Sequence, residues 1–289
     1  MSSLVITAEQ RDRYEEVVAF WTPERMARAE PRRPRPGWVR PRPAPAPPGA
    51  FYTLLVQDPT KAPYCRAGKM YMTFKGNKYQ GSACAVDENG ILTAAHNLYD
   101  HDTETYADNA MYMPGYNNGA KELGRWPLLS DPVPVFPIEW YENVKEYGFD
   151  YGFSMVGPGG KDKFDLRPIG KVTGIFEIIV DKPDIKEWTT LGYPGKTANH
   201  SEWDGEQMYS CYGTKEEIDF NHKVAKYGDL CNGTSGGPWL LTGAHRHMVN
   251  GLTASFAPGY DLNFSPYFDQ AVMDLFDEIF RSGSAAARD

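Results

Sequence analysis

The chain lacks the features that mark several protein classes. No stretch of its 289 residues approaches the ~20 consecutive apolar residues that a membrane-spanning helix needs. It also lacks an excess of positive charge, because its formal net charge is −8, whereas a nucleic-acid-binding protein presents a basic face. The start of the sequence lacks the basic region and long apolar core of a secretory signal. We therefore expect no membrane and no nucleic-acid partner, and a cytoplasmic location as written, or a secreted one if a signal has been removed.

Cysteine is also scarce, with four residues at positions 65, 84, 211 and 231. Four cysteines permit two disulfides but require none. Glycine and proline are plentiful, at 28 and 23 residues, which predicts many turns. The 18 tyrosines and seven tryptophans suit strands. This composition favours a β-rich protein with a substantial core. All-β folds of 200–250 residues often form one domain, so the length is compatible with a single β-rich domain.

The first 50 residues differ from the rest of the chain. Residues 7–29 have a helical pattern that opens on a capping box of Thr7 and Gln10. Residues 31–50 hold eight prolines and five arginines but no acidic residue, which predicts an extended linker. Residues 51–289 carry a net charge of −11. We therefore predict that 1–50 is a leader and a candidate pro-segment that docks on the body at 51–289 and restrains its activity. The alternative is a tether without effect on turnover.

The body shows short β runs separated by turns, in two successive halves. They predict two packed antiparallel β-barrels, the first over about 65–157 and the second over about 168–262. Residues 100–130 are polar and irregular, and we predict a surface excursion there. Apolar residues at helical spacing near the end predict a C-terminal amphipathic helix over about 267–281.

One short stretch, residues 233–238, carries the candidate chemistry. Ser235 lies between glycines, so the amides of Gly233 and Ser235 can face one cavity, as an oxyanion hole requires. A serine hydroxyl needs a neighbouring base that a third group orients. His96, at the end of an apolar run, and Asp150 are the candidates. Asp131 and Asp165 are rivals to Asp150, but both lie in loop-like sequence.

A serine between glycines also occurs at the nucleophile elbow of α/β-hydrolases. In that fold a helix follows the serine, and the histidine comes last in the chain. Here residues 238–241 have a strand pattern, and the histidines after Ser235 follow within 12 residues. That spacing leaves no room for an acid-bearing strand, so the esterase is rejected.

The order His96, Asp150, Ser235, with the motifs Thr-Ala-Ala-His at 93–96 and Gly-x-Ser-Gly-Gly-Pro at 233–238, resembles the chymotrypsin/trypsin superfamily of serine endopeptidases. Residues 191–194, 204–211, 236–239 and 265–268 are similar to the glutamyl-endopeptidase-like bacterial branch. The resemblance implies an all-β fold of two packed six-stranded barrels. It also implies a catalytic triad of the three residues, an oxyanion hole at Gly233 and Ser235, and a monomer that cleaves protein or peptide substrates without cofactor or metal.

The sequence departs from that pattern at several places. Asn97 stands where many relatives have a cysteine, and Thr234 stands where zymogens of the superfamily have an aspartate. Gly251-Leu252-Thr253 lacks the histidine with which glutamyl endopeptidases bind a carboxylate. The resemblance places Asp229 in the substrate pocket, with Thr253 and Ser255 beyond it, and a carboxylate there favours basic side chains. Cys231 can pair with Cys211 across neighbouring strands.

Two functional hypotheses follow from these residues. The first is a serine endopeptidase that hydrolyses peptide bonds through an acyl-enzyme. The second is a catalytically silent protease homologue that serves as a binding or scaffold module. Reaction of Ser235 with a fluorophosphonate separates the two, because labelling requires an activated serine.

Overall fold

The computed structural model describes residues 6–32, 46–119, 121–142, 147–197, 200–220, 222–257 and 260–281. Its helices are α1 (Ala8–Phe20), α2 (Pro23–Ala27), α3 (Ile138–Glu142), α4 (Ile169–Thr173) and α5 (Gln270–Phe280). The strands before the midpoint are β1 (Glu30–Pro31), β2 (Phe51–Leu55), β3 (Ala67–Phe74), β4 (Asn77–Asp87), β5 (Gly90–Thr93), β6 (Tyr99–Asp100), β7 (Thr105–Tyr106), β8 (Asp108–Pro114), β9 (Trp126–Pro127) and β10 (Gly152–Met155). Those after it are β11 (Glu177–Ile178), β12 (Glu187–Gly192), β13 (Tyr209–Phe220), β14 (Lys223–Tyr227), β15 (Pro238–Leu240), β16 (Met248–Leu252), β17 (Ser255–Ala257) and β18 (Leu262–Pro266).

The first half of the body folds into a six-stranded antiparallel barrel. Its strand order is β10-β5-β4-β3-β8-β9. The sheet curls until its two ends meet. There the Leu129 amide donates to the Met155 carbonyl (3.0 Å) and the Gly157 amide donates to the Pro127 carbonyl (2.9 Å). Side chains of β3, β4 and β8 fill the interior, including Met70, Met72 and Tyr112.

The second half repeats the architecture with the order β16-β15-β12-β13-β14-β18, flanked by β11 and β17. Here the ends of the sheet meet where the Ala254 amide donates to the Phe264 carbonyl (2.9 Å). The Leu252 amide donates to Ser265 Oγ at the same seam (2.9 Å). The predicted all-β fold of two six-stranded antiparallel barrels is therefore confirmed.

The prediction of an irregular surface excursion over 100–130 is wrong, because strand β8 lies within that range. It pairs with β3 through the register Tyr71↔Met111 and is an integral strand of the first barrel. Residues 110–114 are buried at every position. A strand that is covered on both faces does not alternate polar and apolar residues, so the sequence carries no period-two signal there.

The helical pattern over residues 7–29 corresponds to two helices, α1 and α2, with the restart at Thr22-Pro23-Glu24 that the sequence predicts. The capping box is present, with the Gln10 amide donating to Thr7 Oγ1 (3.2 Å), and a second cap at Thr22 before Pro23 restarts the helix. Trp21 is buried against Tyr71 of the first barrel, and its indole donates to the Asn109 carbonyl (2.6 Å). The helical part of the leader therefore packs on the first barrel. The arginine-rich stretch 33–45 lies outside the described residues.

Both ends of the body cross to the opposite barrel. Strand β2 pairs antiparallel with β13 of the second barrel, with Cys211 opposite Thr53. Helix α5 follows the second barrel, but Phe276 and Phe280 pack edge-on against Phe153 of the first. The predicted C-terminal amphipathic helix is present, capped by Asp269. The division of the chain at residue 50 and the limits of the barrels stay predictions. Among the described residues, no helix is long and apolar enough to span a bilayer.

Candidate active site

His96 and Asp150 meet at one edge of the first barrel. Strands β5 and β10 are antiparallel neighbours, with Gly152 opposite Thr93, so the end of β5 lies beside the start of β10. His96 follows β5 in a short 3-10 turn, and Asp150 lies just before β10. His96 Nδ1 is 2.7 Å from Asp150 Oδ2, and the His96 amide donates to Asp150 Oδ1 at 3.0 Å. Both carboxylate oxygens therefore hold the same histidine.

This pairing decides what the other ring nitrogen can do. The Asp150 side chain is fully buried, and a carboxylate can only accept, so the Nδ1 of His96 carries the proton. That tautomer leaves a lone pair on Nε2. His96 Nε2 is buried and has no hydrogen-bond partner among the described residues. The imidazole is thus oriented on one side and available as a base on the other.

Ser235 lies in the loop before β15 of the second barrel and is only 3% exposed. Within the described part of the chain, the amides of Gly233 and Ser235 donate to no other group, whereas the Thr234 amide between them donates to the Cys231 carbonyl (3.0 Å). Gly233 has φ +92°, which a side chain would disfavour. The loop therefore offers two unused donors two residues apart. No hydrogen bond joins Ser235 Oγ to His96 Nε2.

Two residues of the first barrel hold this loop in place. The Ser235 carbonyl accepts from the Ser82 amide (2.8 Å) and from Asn97 Nδ2 (3.0 Å). Ser82 Oγ donates to the Gly233 carbonyl (2.9 Å). Asn97 is therefore a positioning residue, in the place where many proteins of the resembling superfamily have cysteine. In the sequence, Asn97 stands out only as a departure from a motif, and nothing singles out Ser82.

Glycine at 236 lets the two barrels approach. Its φ is +83°, and a Cβ there would lie 2.1 Å from Thr93 Oγ1 and 2.2 Å from the Ser82 carbonyl. Thr93 Oγ1 itself donates to the Ser82 carbonyl (2.8 Å). The Gly-Gly pair after Ser235 therefore serves close contact between backbones as well as turn geometry.

Two of the three predicted pocket residues, Asp229 and Thr253, make side-chain contacts inside the protein. Asp229 Oδ1 accepts from Thr53 Oγ1 (2.5 Å), and Oδ2 is 3.2 Å from His200 Nε2. Thr253 is buried, and its Oγ1 accepts from the Trp239 indole (3.0 Å). Ser255 is half-buried at the start of β17. Each oxygen of Asp229 therefore already has a partner within the protein.

The Cys211–Cys231 disulfide is not formed, and all four cysteines are thiols. The two side chains have different surroundings: Cys211 Sγ accepts from Lys226 Nζ (3.6 Å), and Cys231 Sγ donates to the Gly195 carbonyl (3.2 Å). Burial raises the pKa of the Cys65 and Cys84 thiols, so these two are protonated and poor nucleophiles. Among the described residues, no cluster of three metal-ligating side chains occurs.

The leader reaches the same region from the amino-terminal side. The Pro31 ring lies against Gly195 and Gly233, where added Cβ atoms would be 2.6 and 3.6 Å from it. Arg32 Nε donates to the His96 carbonyl at 3.0 Å. Two leader residues thus contact the segments that carry the histidine and the unused amides. No sequence pattern singles out Pro31 or Arg32 for this contact.

The chain was compared with family models, curated proteins and solved structures. No family model and no curated protein matches. Among solved structures, it resembles the protease Anisep from Arthrobacter nicotinovorans, with 23% identity over 76% of this chain and 97% of that one, at a TM-score of 0.64. It also resembles the thermostable serine protease AL20 from an extremophilic microorganism, with 22% identity over 74% of this chain and 96% of that one, at a TM-score of 0.64. A Glu endopeptidase is similar too, with 19% identity over 78% of this chain and 95% of that one, at a TM-score of 0.62. The likeness shows that the chain has the fold of these proteases, the chymotrypsin-like fold of two β-barrels.

Proposed function

We propose that the protein is a serine endopeptidase in which Ser235, His96 and Asp150 form the triad. The observation that supports this most directly is the half-satisfied imidazole. Asp150 holds Nδ1 at 2.7 Å, while the buried Nε2 has no partner among the described residues. A buried nitrogen without a hydrogen bond is unfavourable, and a serine hydroxyl is the partner that a nucleophilic mechanism requires.

The reaction runs in two steps. Ser235 Oγ attacks the peptide carbonyl carbon as its proton passes to His96 Nε2, and that proton then goes to the leaving amine, so that an acyl-enzyme remains. Water attacks the ester carbon, gives a proton to Nε2, and Ser235 recovers it as the acid product leaves. Asp150 keeps the ring in the productive tautomer and stabilises the imidazolium that forms between the steps.

The amides of Gly233 and Ser235 would stabilise the oxyanion. Neither donates to another group of the described chain, so neither has to break a hydrogen bond to receive the developing charge. Preorganised donors of this kind contribute about 3–4 kcal/mol each to the transition state. The Ser82 and Asn97 hydrogen bonds to the loop support that preorganisation.

The solved structures support proteolysis through their printed names, two of which are serine protease and Glu endopeptidase. They do not carry a residue preference to this chain. Thr253 occupies the position after Gly251-Leu252, and its hydroxyl is bound by the Trp239 indole. Asp229 is bound by Thr53 and His200. We therefore expect neither side chain to be the sole determinant of specificity.

The experiment is labelling with a fluorophosphonate, followed by peptide mapping. The full-length protein and the Arg32→Ala variant should be labelled at Ser235, and Ser235→Ala and His96→Ala should lose the label. Ser210→Ala is the matched control, because Ser210 is a half-buried serine of the same barrel outside both the proposed triad and the predicted pocket. Absence of label from both wild-type and Arg32→Ala proteins that are folded by circular dichroism would refute the proposal and favour a catalytically silent homologue.

A further inference from the structure

The leader does more than touch the candidate site, because its main chain extends a barrel strand there. Strand β1 pairs with β4 in parallel, with Glu30 opposite Tyr79 and Pro31 opposite Gln80. The Arg32 amide continues the ladder by donating to the Gln80 carbonyl at 2.7 Å. A peptide that adds a strand to an open sheet edge is a common recognition mode, in which main-chain bonds supply affinity and side-chain pockets supply specificity.

The side chain of Arg32 fills a pocket that suits a guanidinium group. Its carbon Cζ lies 4.5 Å from the centre of the Phe74 ring and 4.8 Å from that of Tyr79. Nε donates to the His96 carbonyl at 3.0 Å, and a terminal nitrogen is 3.5 Å from Asp100 Oδ2. Both charged side chains are about nine-tenths buried, at 12% and 10% exposure. We call this set, Phe74, Tyr79, the His96 carbonyl and Asp100, the Arg32 pocket.

Each part of the pocket selects for arginine. The two aromatic faces stack on a planar cation, the His96 carbonyl accepts from Nε, and the Asp100 carboxylate lies 3.5 Å from a terminal nitrogen of the guanidinium group. A lysine ammonium cannot reproduce that geometry, because it is a compact point charge. All four pocket residues belong to the body of the protein, so the pocket remains when Arg32 leaves it.

We propose that the Arg32 pocket is a guanidinium subsite of the peptide-binding cleft, occupied in the intact chain by Arg32 as an internal ligand. The inference rests on the proposed function, since the pocket adjoins the proposed base through the His96 carbonyl and the Pro31 ring lies against Gly233 of the proposed oxyanion hole. The substrate class that follows is a peptide with an arginine placed to enter this pocket. The intact leader competes with that peptide and so restrains the enzyme.

The internal ligand has a large advantage over a free peptide. The leader is tied to the first barrel through buried Trp21 and through Tyr14, whose hydroxyl donates to the Gly160 carbonyl at 2.9 Å. A tethered ligand acts at an effective concentration of about millimolar or more. Removing the guanidinium of Arg32 therefore opens the pocket while the helices of the leader stay docked.

The test measures binding, so its outcome does not depend on hydrolysis. A fluorescent, amidated Gly-Arg dipeptide, which presents a guanidinium group without needing the strand edge that Glu30 and Pro31 occupy, is titrated into full-length protein carrying Ser235→Ala, and binding is read by fluorescence anisotropy. Adding Arg32→Ala should tighten binding about tenfold or more, because the pocket is then open. Arg28→Ala, an exposed arginine of the same leader, is the matched control and should change binding less than twofold, roughly the range of a surface substitution.

Two further arms make the assignment specific. Replacing the peptide's arginine with alanine should weaken its binding to the Arg32→Ala protein about tenfold or more, because charge-assisted and cation–π contacts are lost. Adding Asp100→Asn to the Arg32→Ala protein should weaken binding of the arginine peptide and leave binding of the alanine peptide unchanged. The subsite would be overturned if the arginine peptide bound equally to the proteins with and without Arg32→Ala. Equal binding of the arginine and alanine peptides to the Arg32→Ala protein would overturn it as well. Loss of fluorophosphonate labelling with these binding differences intact would refute only the proposed catalysis.

Discussion

Replacement of Asn97 by alanine tests whether the tie between the barrels positions the serine. Asn97 is fully buried, and its Nδ2 donates to the Ser235 carbonyl and to Thr93 Oγ1, each at 3.0 Å. Its Oδ1 has no partner among the described residues. The Ser235 carbonyl keeps its hydrogen bond from the Ser82 amide in the variant, so no acceptor is orphaned.

The magnitudes follow from this count. Two lost hydrogen bonds are worth about 1 kcal/mol each, and removal of the unpaired Oδ1 offsets part of that loss. We therefore expect the free energy of unfolding to fall by only about 1–2 kcal/mol. The rate should fall more, by about 10- to 100-fold, because a displacement of the Ser235 loop by about 1 Å misaligns the attacking oxygen.

The assay combines denaturant unfolding with the rate of fluorophosphonate labelling and of peptide hydrolysis. Asn250→Ala is the matched control, because Asn250 is also a buried asparagine whose Nδ2 donates to one carbonyl, that of Ile179, at 2.8 Å. It should lose similar stability per hydrogen bond and keep its labelling rate. If Asn97→Ala labels within twofold of wild type, or if both variants lose rate equally, the positioning role is wrong.

Four other changes have expected outcomes. Asp229→Ser should reduce cleavage after arginine and after leucine equally, in a kinetic comparison of two peptides, because the carboxylate is already engaged. Gly236→Ala should lower the free energy of unfolding by about 2–4 kcal/mol in urea, since its φ is +83° and its Cβ would overlap neighbouring backbone. Trp21→Ala removes a buried anchor worth about 3–5 kcal/mol and should expose the leader to limited proteolysis before the body unfolds. Burial lowers the pKa of Lys69 to about 8, so the folded state binds fewer protons than the unfolded state above that pH. The stability of wild type should therefore rise from pH 8 to 9.5 by about 1.5 kcal/mol relative to Lys69→Met, measured by denaturant unfolding.

The elements that the sequence predicted are those with local signals. The capping box at Thr7 and the amphipathic spacing of α5 each depend on residues within a few positions of one another. Strand β8 carries no such signal, because its buried residues face the core on one side and neighbouring structure on the other. The break between α1 and α2 was predictable only from Pro23, which fits the first turn of a new helix.

The candidate site divides in the same way. His96 and Ser235 stand in short motifs, so the sequence alone identifies them. Asn97, Ser82 and Arg32 act through contacts with partners 138, 151 and 64 residues away, and no window of sequence contains both members of such a pair. The interpretation of Asp229 as a basic-specificity residue stays a prediction, and its contacts with Thr53 and His200 favour a structural role.

The crossing of the chain ends means that the barrels are not interchangeable modules. A cut near residue 160 would leave β2, which pairs with β13, on the amino-terminal fragment and α5, which packs on Phe153, on the carboxy-terminal one. Each fragment would thus carry a piece of the other's surface and expose an apolar face that only its counterpart covers. We expect the two fragments to recombine when mixed, and we expect barrel swaps between proteins of this fold to fail unless both ends are exchanged with them.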